Sequence, residues 1–239
     1  MIKHFALIGH PLGHSLSAEY FAEKFERGRL YADYSLLDIE QVEEVLPYCE
    51  ELEGFNVTIP HKQAIIPLLA AISDEAAEIG AVNCVKVTPD GLIGYNTDAE
   101  GIRKSLEGVE LQGIKALVLG TGGASKAVQY VLRKGGTEVK VVSRTQGAAD
   151  LTYEDLSEEI IGEHLLIVNT TPLGMYPNID SAPALPYSAI LPKHTLFDCV
   201  YNPRQTRFLQ LGAERGACTI DGMRMFIAQA EASWRIWSE

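Results

Sequence analysis

Four short polar clusters in the first part of the chain carry side chains able to bind an anion, polarise an oxygen or move a proton: His14-Ser15-Leu16-Ser17, Asn56-Val57-Thr58-Ile59-Pro60-His61-Lys62, Ala81-Val82-Asn83 and Asn96-Thr97-Asp98. The alternate hydroxyls of Ser15 and Ser17 could donate to a carboxylate. They could equally cap a helix, Ser17 being a good N-cap, and composition alone favours the cap. Lys62 falls in the first turn of a helix that the pattern predicts over 60–72, with Pro60 suited to its first position. A helix dipole disfavours a cation at that end unless a carboxylate compensates, and that makes Lys62 a candidate proton carrier. Asp98 could be that carboxylate. Each cluster alone is more simply a cap or a turn; all four ahead of a glycine-rich turn are harder to assign to local structure.

That turn is Gly120-Thr121-Gly122-Gly123-Ala124-Ser125, between a compact apolar stretch at 115–119 and a helical pattern at 126–133. Strand, glycines, helix is the arrangement that brings bare backbone N–H groups and a helix N-terminus against a pyrophosphate. A plain tight turn is the competing reading, and the third position of the G-x-G-x-x-G spelling is Ser125. After the next strand, where an enzyme using NAD typically has a carboxylate for the ribose hydroxyl, the sequence reads Ser143-Arg144-Thr145. A guanidinium suits a 2′-phosphate through forked, charge-assisted contacts, so NADP is favoured over NAD. Arg144 as a solvated surface charge is the alternative.

The elements that must position these groups alternate short apolar runs with helix-like stretches, the pattern of parallel sheets flanked by helices. Strands are predicted at 5–8, 31–37 and 54–58, a hairpin at 83–88 and 92–95, and helices at 17–27, 39–52, 60–72, 74–79 and 98–106. From about Gly108 a second unit begins, with strands at 115–119, 138–142, 165–169 and 195–199. The segment 176–192, with four prolines, reads as an ordered surface loop.

Composition excludes several classes. With 239 residues, 46% hydrophobic and 22% charged, the chain is an ordinary globular protein able to bury a proper core. A formal charge of −12 argues against a nucleic-acid binder. The most apolar run, 64–72, is broken by Pro67 and far short of a membrane span. The opening thirteen residues do not read as a signal peptide, so a cytoplasmic location is expected. The four cysteines, Cys49, Cys84, Cys199 and Cys218, form no metal-like or C-x-x-C cluster, and no metal is expected.

Taken in order, Gly9-His10-Pro11-Leu12-Gly13-His14-Ser15-Leu16-Ser17, Asn56-Val57-Thr58-Ile59-Pro60-His61-Lys62, Gly80-Ala81-Val82-Asn83, Asn96-Thr97-Asp98 and the glycine turn resemble the motifs of shikimate dehydrogenases. So do Asn169-Thr170-Thr171-Pro172-Leu173-Gly174-Met175, Asp198-Cys199-Val200-Tyr201-Asn202-Pro203 and Asp221-Gly222-Met223-Arg224-Met225 through Gln229. The resemblance runs from end to end. It implies two α/β domains: a substrate domain over 1–102, joined by a returning C-terminal helix at 223–239, and a Rossmann-like NADP-binding domain over 103–222. It implies reversible reduction of 3-dehydroshikimate to shikimate with NADPH, in the pathway to aromatic amino acids, by a monomer or homodimer.

Carried onto this sequence, the resemblance gives Ser15 and Ser17 to the substrate carboxylate, and Thr58, Asn83, Asp98, Tyr201 and Gln229 to its ring and hydroxyls. Lys62 and Asp98 would handle the proton at the reacting carbon. Gly120, Thr121, Gly122, Gly123 and Ala124 would cradle the pyrophosphate, Ser143, Arg144 and Thr145 the adenosine ribose and its phosphate, and Cys199 and Gly222 would border the nicotinamide. The sequence departs from the family pattern at Ala18, Glu19-Tyr20 and Arg224. The stretch 144–169 is short, which predicts a missing or reduced helix. Two other readings fit the same residues: a quinate/shikimate dehydrogenase using NAD, and a ligand-binding protein without catalysis.

Overall fold

A computed structural model describes residues 2–13 and 15–239. Its contacts divide the chain into two compact units, Met1–Thr97 with Gln229–Glu239, and Asp98–Ala228; the sequence reading places the breaks at 102 and 222.

The first unit contains β1 (Lys3–Gly9), α1 (Ser17–Gly28), β2 (Ala32–Asp38), β3 (Leu52–Val57), β4 (Ala71–Ile72), α2 (Asp74–Ile79), β5 (Cys84–Thr88) and β6 (Gly91–Tyr95). Its sheet has the order β2-β1-β3-β5-β6-β4. β1 is parallel to β2 and β3, whereas β5 is antiparallel to both β3 and β6, as the hairpin requires. The sheet is therefore mixed rather than parallel. Phe5, Ala6, Leu7 and Ile8 are all buried, because β1 is central and covered on both faces.

Two predicted helices are absent here. The stretch 39–52 forms a 3₁₀ helix, Val42–Glu50, with Pro47 inside it; that proline can supply no N–H to an α-helical ladder. The stretch 60–72 is a series of turns followed by a 3₁₀ turn, Ile66–Leu68, and then β4. Pro67 again removes a donor and biases Ile66 away from helical geometry. No helix begins at Pro60, so the dipole argument for Lys62 lapses.

The second unit opens with α3 (Asp98–Ser105), followed by β7 (Lys115–Leu119), α4 (Gly123–Lys134), β8 (Glu138–Ser143), β9 (Leu151–Thr152), α5 (Glu158–Glu163), β10 (Leu166–Asn169), β11 (Thr195–Asp198), α6 (Arg207–Ala213), β12 (Cys218–Ile220) and the start of α7 (Met223–Ser238). α3 packs on α4. All six strands are parallel, in the order β12-β11-β10-β7-β8-β9. Counted from β7, this is the 3-2-1-4-5-6 order of a doubly wound dinucleotide-binding sheet. The shortened 144–169 stretch leaves a two-residue β9 and a six-residue α5, the reduced helix that the sequence predicts.

The later part of α7, from Gln229, belongs to the first unit. There Trp237 stacks on Phe5 with ring centroids 4.9 Å apart, Trp234 meets Phe5 edge-on at 5.6 Å, and the Trp237 Nε1–H donates to the Val85 carbonyl at 2.9 Å. Phe21 and Tyr34 stack at 4.4 Å beside them. Large aromatic areas leaving water together fix the returning helix on this sheet.

Candidate functional site

In the first unit the predicted residues gather where β1 and β3 end. The chain leaving β1 is tied to the end of β2 by Asp38, whose Oδ2 accepts the Leu12 N–H at 3.0 Å and whose Oδ1 lies 2.6 Å from His10 Nδ1. The Leu12 N–H, and then His10, hold the Asp38 carboxyl below its ordinary pKa. This clasp positions the segment that carries the two serines; His14 lies outside the described residues. Ser15 Oγ accepts the Ser17 N–H at 3.2 Å. The cap position of α1 is Leu16, and Ser17 is the first helical residue, so the expected capping role for Ser17 does not hold. Across from this segment sits Thr58. A Cβ on Gly9 would collide with its methyl group and come within 2.9 Å of the Ile59 carbonyl, so only glycine lets Thr58 approach the end of β1.

The turn carrying Lys62 is held at both sides. The His61 N–H donates to Thr58 O at 2.8 Å, the buried His61 ring reaches Ile39 O at 2.8 Å, and Lys62 O accepts the Val82 N–H at 2.7 Å. The second and third clusters are thus joined through the lysine's own backbone. Beside them lies a buried amide network. Asn83 accepts the Thr97 N–H on Oδ1 at 2.6 Å, donates from Nδ2 to Thr97 Oγ1 at 2.9 Å, and reaches Gln229 Oε1 at 3.5 Å. Asn56 receives the Tyr34 hydroxyl at 2.9 Å and donates to Asn83 O at 3.1 Å and Ser233 Oγ at 2.8 Å. Asn96 Nδ2 donates to Ala81 O at 2.8 Å. The structure therefore brings together Thr58, Lys62, Asn83 and Gln229 in one unit. Asp98, buried, follows Thr97 and opens α3.

In the second unit, the crevice of an open α/β sheet lies where strand order reverses, here between β7 and β10. Gly120 leaves β7 with φ +111°, and a Cβ there would stand 2.8 Å from Thr170 Oγ1, so glycine is required. Gly122 precedes α4, no side chain caps that helix, and a Cβ on Gly122 would meet nothing. The first N–H groups of this 12-residue helix thus have no side-chain cap, and such groups are the ones that bind phosphates at helix N-termini. Ser125 explains the departure from three glycines: it is fully buried, its hydroxyl donates to Gly120 O at 2.6 Å, and Gln129 Nε2 donates to it at 3.0 Å. The serine closes the turn from inside.

Ser143, at the end of β8, accepts the Thr145 N–H on its hydroxyl at 3.1 Å, and Arg144 and Thr145 are exposed. Gly222 packs on the chain after β11, where a Cβ would come within 2.5 Å of Cys199 O and 2.7 Å of Val200 O. Tyr201 packs on Phe226, with ring centroids 4.6 Å apart. Behind these residues Asp198 is fully buried and accepts from Asn169 Nδ2 at 3.0 Å, Val200 N at 3.0 Å and Thr206 Oγ1 at 2.6 Å. Burial pushes its pKa up to about 7 against the pull of those donors. The sequence reading singles out neither Ser233 as an organiser of the first unit nor Asp38 as the clasp, and it has Thr97 only within the Asn96-Thr97-Asp98 cluster. A lone serine or aspartate in these contexts has no spacing that marks it.

Comparison with known proteins agrees with this geometry. The family profile described as the shikimate dehydrogenase substrate binding domain matches residues 7–85. A shikimate dehydrogenase (NADP(+)) of Clostridium beijerinckii is 38% identical, covering 100% of this chain and 93% of its own. The crystal structure of shikimate dehydrogenase 1 from Peptoclostridium difficile superposes with a TM-score of 0.89 at 36% identity, covering 99% of this chain and 92% of that one. That of shikimate 5-dehydrogenase from Thermus thermophilus, in complex with NADP(H) and shikimate, gives 0.88 at 34% identity, covering 99% and 94%.

Proposed function

This chain belongs to the shikimate dehydrogenase family, and from that membership we propose that it catalyses the reversible, NADPH-dependent reduction of 3-dehydroshikimate to shikimate. The observation that carries the reading is chain-long similarity to an enzyme whose crystals hold both ligands, joined to a glycine cradle that a Cβ would fill at Gly120.

The dinucleotide, when bound, supplies the hydride. Everything else falls to side chains. Ser15 and Ser17 hold the substrate carboxylate, and Thr58, Asn83, Tyr201 and Gln229 bind its hydroxyls and ring, which converts an encounter into a fixed geometry. The Lys62 ammonium hydrogen-bonds the carbonyl oxygen as negative charge develops there and delivers the proton that completes the alcohol. Asp98 accepts a substrate hydroxyl and balances the lysine's charge. For the cofactor, Gly120, Thr121, Gly122, Gly123 and Ala124 would hold the pyrophosphate, Ser143, Arg144 and Thr145 the phosphorylated ribose, and Cys199 and Gly222 would border the nicotinamide. The first unit is the substrate domain and the second the dinucleotide domain.

Steady-state oxidation of shikimate and of quinate, each with NADP and with NAD, tests the proposal. Shikimate with NADP should give the highest kcat/KM of the four pairs. A higher value for quinate, or no substrate-dependent formation of NADPH, overturns it.

A further inference from the structure

We infer that Asp38 is a positioning residue for substrate recognition: by holding the Leu12 N–H and the His10 ring together, it sets the place of Ser15 and Ser17 and so the affinity for the substrate's carboxylate. The inference rests on the proposed function in assigning that carboxylate to the two serines.

Asp38 is the last residue of β2, and its register partner on β1 is Gly9. The chain runs on from Gly9 through His10 and Leu12 to the serines, so the Asp38 side chain stands at the root of that segment. Its carboxylate spans two anchors, Oδ2 accepting the Leu12 N–H at 3.0 Å and Oδ1 meeting His10 Nδ1 at 2.6 Å. An ionised carboxylate only accepts, so His10 Nδ1 carries the proton of that contact. Among the described residues, the Leu12 N–H is the one backbone group of 11–15 that hydrogen-bonds to another segment. The Ser15 N–H turns back onto Leu12 O at 3.1 Å, and Ser15 Oγ accepts the Ser17 N–H at 3.2 Å. Leu12, Ser15 and Ser17 thus form one run of local bonds whose outer end Asp38 fixes.

The turn that carries Lys62 does not depend on this carboxylate. The Ile39 N–H donates to Gly9 O at 3.0 Å, the His10 N–H to Ile59 O at 2.9 Å, and Ile39 O lies 2.8 Å from the His61 ring. None of these contacts uses the Asp38 side chain. Its loss frees the serine side while the Thr58–Lys62 turn stays seated. Leu12 also keeps its apolar seat: it is buried, and a Cβ on Gly9 would stand 2.9 Å from its Cδ2. That contact holds the segment to the unit, but apolar burial is non-directional and does not aim the two hydroxyls. The Asp38 side chain is 45% exposed, so its removal strands no charge in the interior.

Asp38→Ala should raise the KM for shikimate about three- to tenfold, the range for one hydrogen bond, with kcat and the KM for NADP within about twofold. Asp38→Asn offers an amide oxygen to the Leu12 N–H and an amide N–H to a neutral His10 Nδ1, and should stay within about twofold of the wild type. In a Ser15→Ala/Ser17→Ala background, Asp38→Ala should change kcat/KM by less than about twofold, because residues that act through one another are not additive. An unchanged KM for shikimate, an equal change in all three constants, an asparagine variant no better than alanine, or the full factor in the serine-free background overturns the inference. If the wild-type protein does not turn over shikimate, the proposed function fails separately, and amide hydrogen exchange over 10–17 still decides this one. Exchange there should be faster in Asp38→Ala than in the wild type or Asp38→Asn; equal rates in all three overturn it. Should the alanine variant not fold, Asp38→Glu, which keeps the charge but carries it one methylene farther, should show the same split between KM and kcat.

Discussion

Gly54 lies directly against the indole of Trp237: a Cβ on Gly54 would run into the ring's Cδ1 and Nε1 and come within 2.8 Å of Val85 O. The returning helix therefore rests on bare backbone at the middle of the first sheet. Gly54→Ala forces the indole off its seat and should destabilise the protein by about 1–3 kcal/mol, the usual cost of overpacking. Denaturant unfolding measures this; a variant as stable as the wild type would show that the helix tolerates displacement.

Lys62→Ala should lower kcat for shikimate oxidation by about 10² to 10⁴, the weight of a general acid–base group. Shikimate affinity, read by calorimetric titration in the presence of NADP, should change far less. Near-normal turnover would remove Lys62 from the chemistry.

Arg144→Ala tests the cofactor's phosphate. Loss of a charge-assisted contact should raise the KM for NADP about ten- to a hundredfold and leave the KM for NAD nearly unchanged. An equal effect on both cofactors would place Arg144 on the general electrostatics of the unit rather than on the 2′-phosphate.

Asp198 predicts a pH dependence of stability. Its pKa rises from 3.8 unfolded to about 7 folded, so the folded state binds a proton more tightly. The associated stability is fully present below about pH 4 and is lost as pH rises through 7, a difference on the order of 4 kcal/mol. Buried His164, whose pKa burial lowers, acts in the opposite sense around its ordinary value, so the quantity to follow is wild type minus Asp198→Asn. That difference should decline from pH 5 to 8.5 in urea titrations. Parallel curves would mean that the carboxyl stays ionised throughout.

Much of this was legible in the sequence because the decisive features are local. The strand-glycine-helix pattern at 115–133 needs no distant partner, and the 83–95 hairpin is set by its own turn at Pro89-Asp90-Gly91. What failed to read was decided elsewhere in the chain. The runs 39–52 and 60–72 have helical spacing, but Pro47 and Pro67 remove donors and the tertiary packing of Val42, Val45 and Ile65 is satisfied by tighter turns. The serine pair illustrates the same limit. A hydroxyl before a helix looks like a cap until the cap position is seen to fall on Leu16. Ser233 was invisible because its meaning depends on Asn56 and Thr97, each more than a hundred residues away.

One consequence of the divided first unit concerns synthesis. Phe5 and the aromatic face of α1 are made early, yet Trp234 and Trp237, which cover them, emerge only after every strand of the second sheet. Domains generally fold as units while the chain is being made. Here the later half can close first, while the earlier one waits with sticky aromatic surface uncovered. A ribosome that stalls before residue 229 would present chaperones with a finished cofactor half tethered to an unfinished partner.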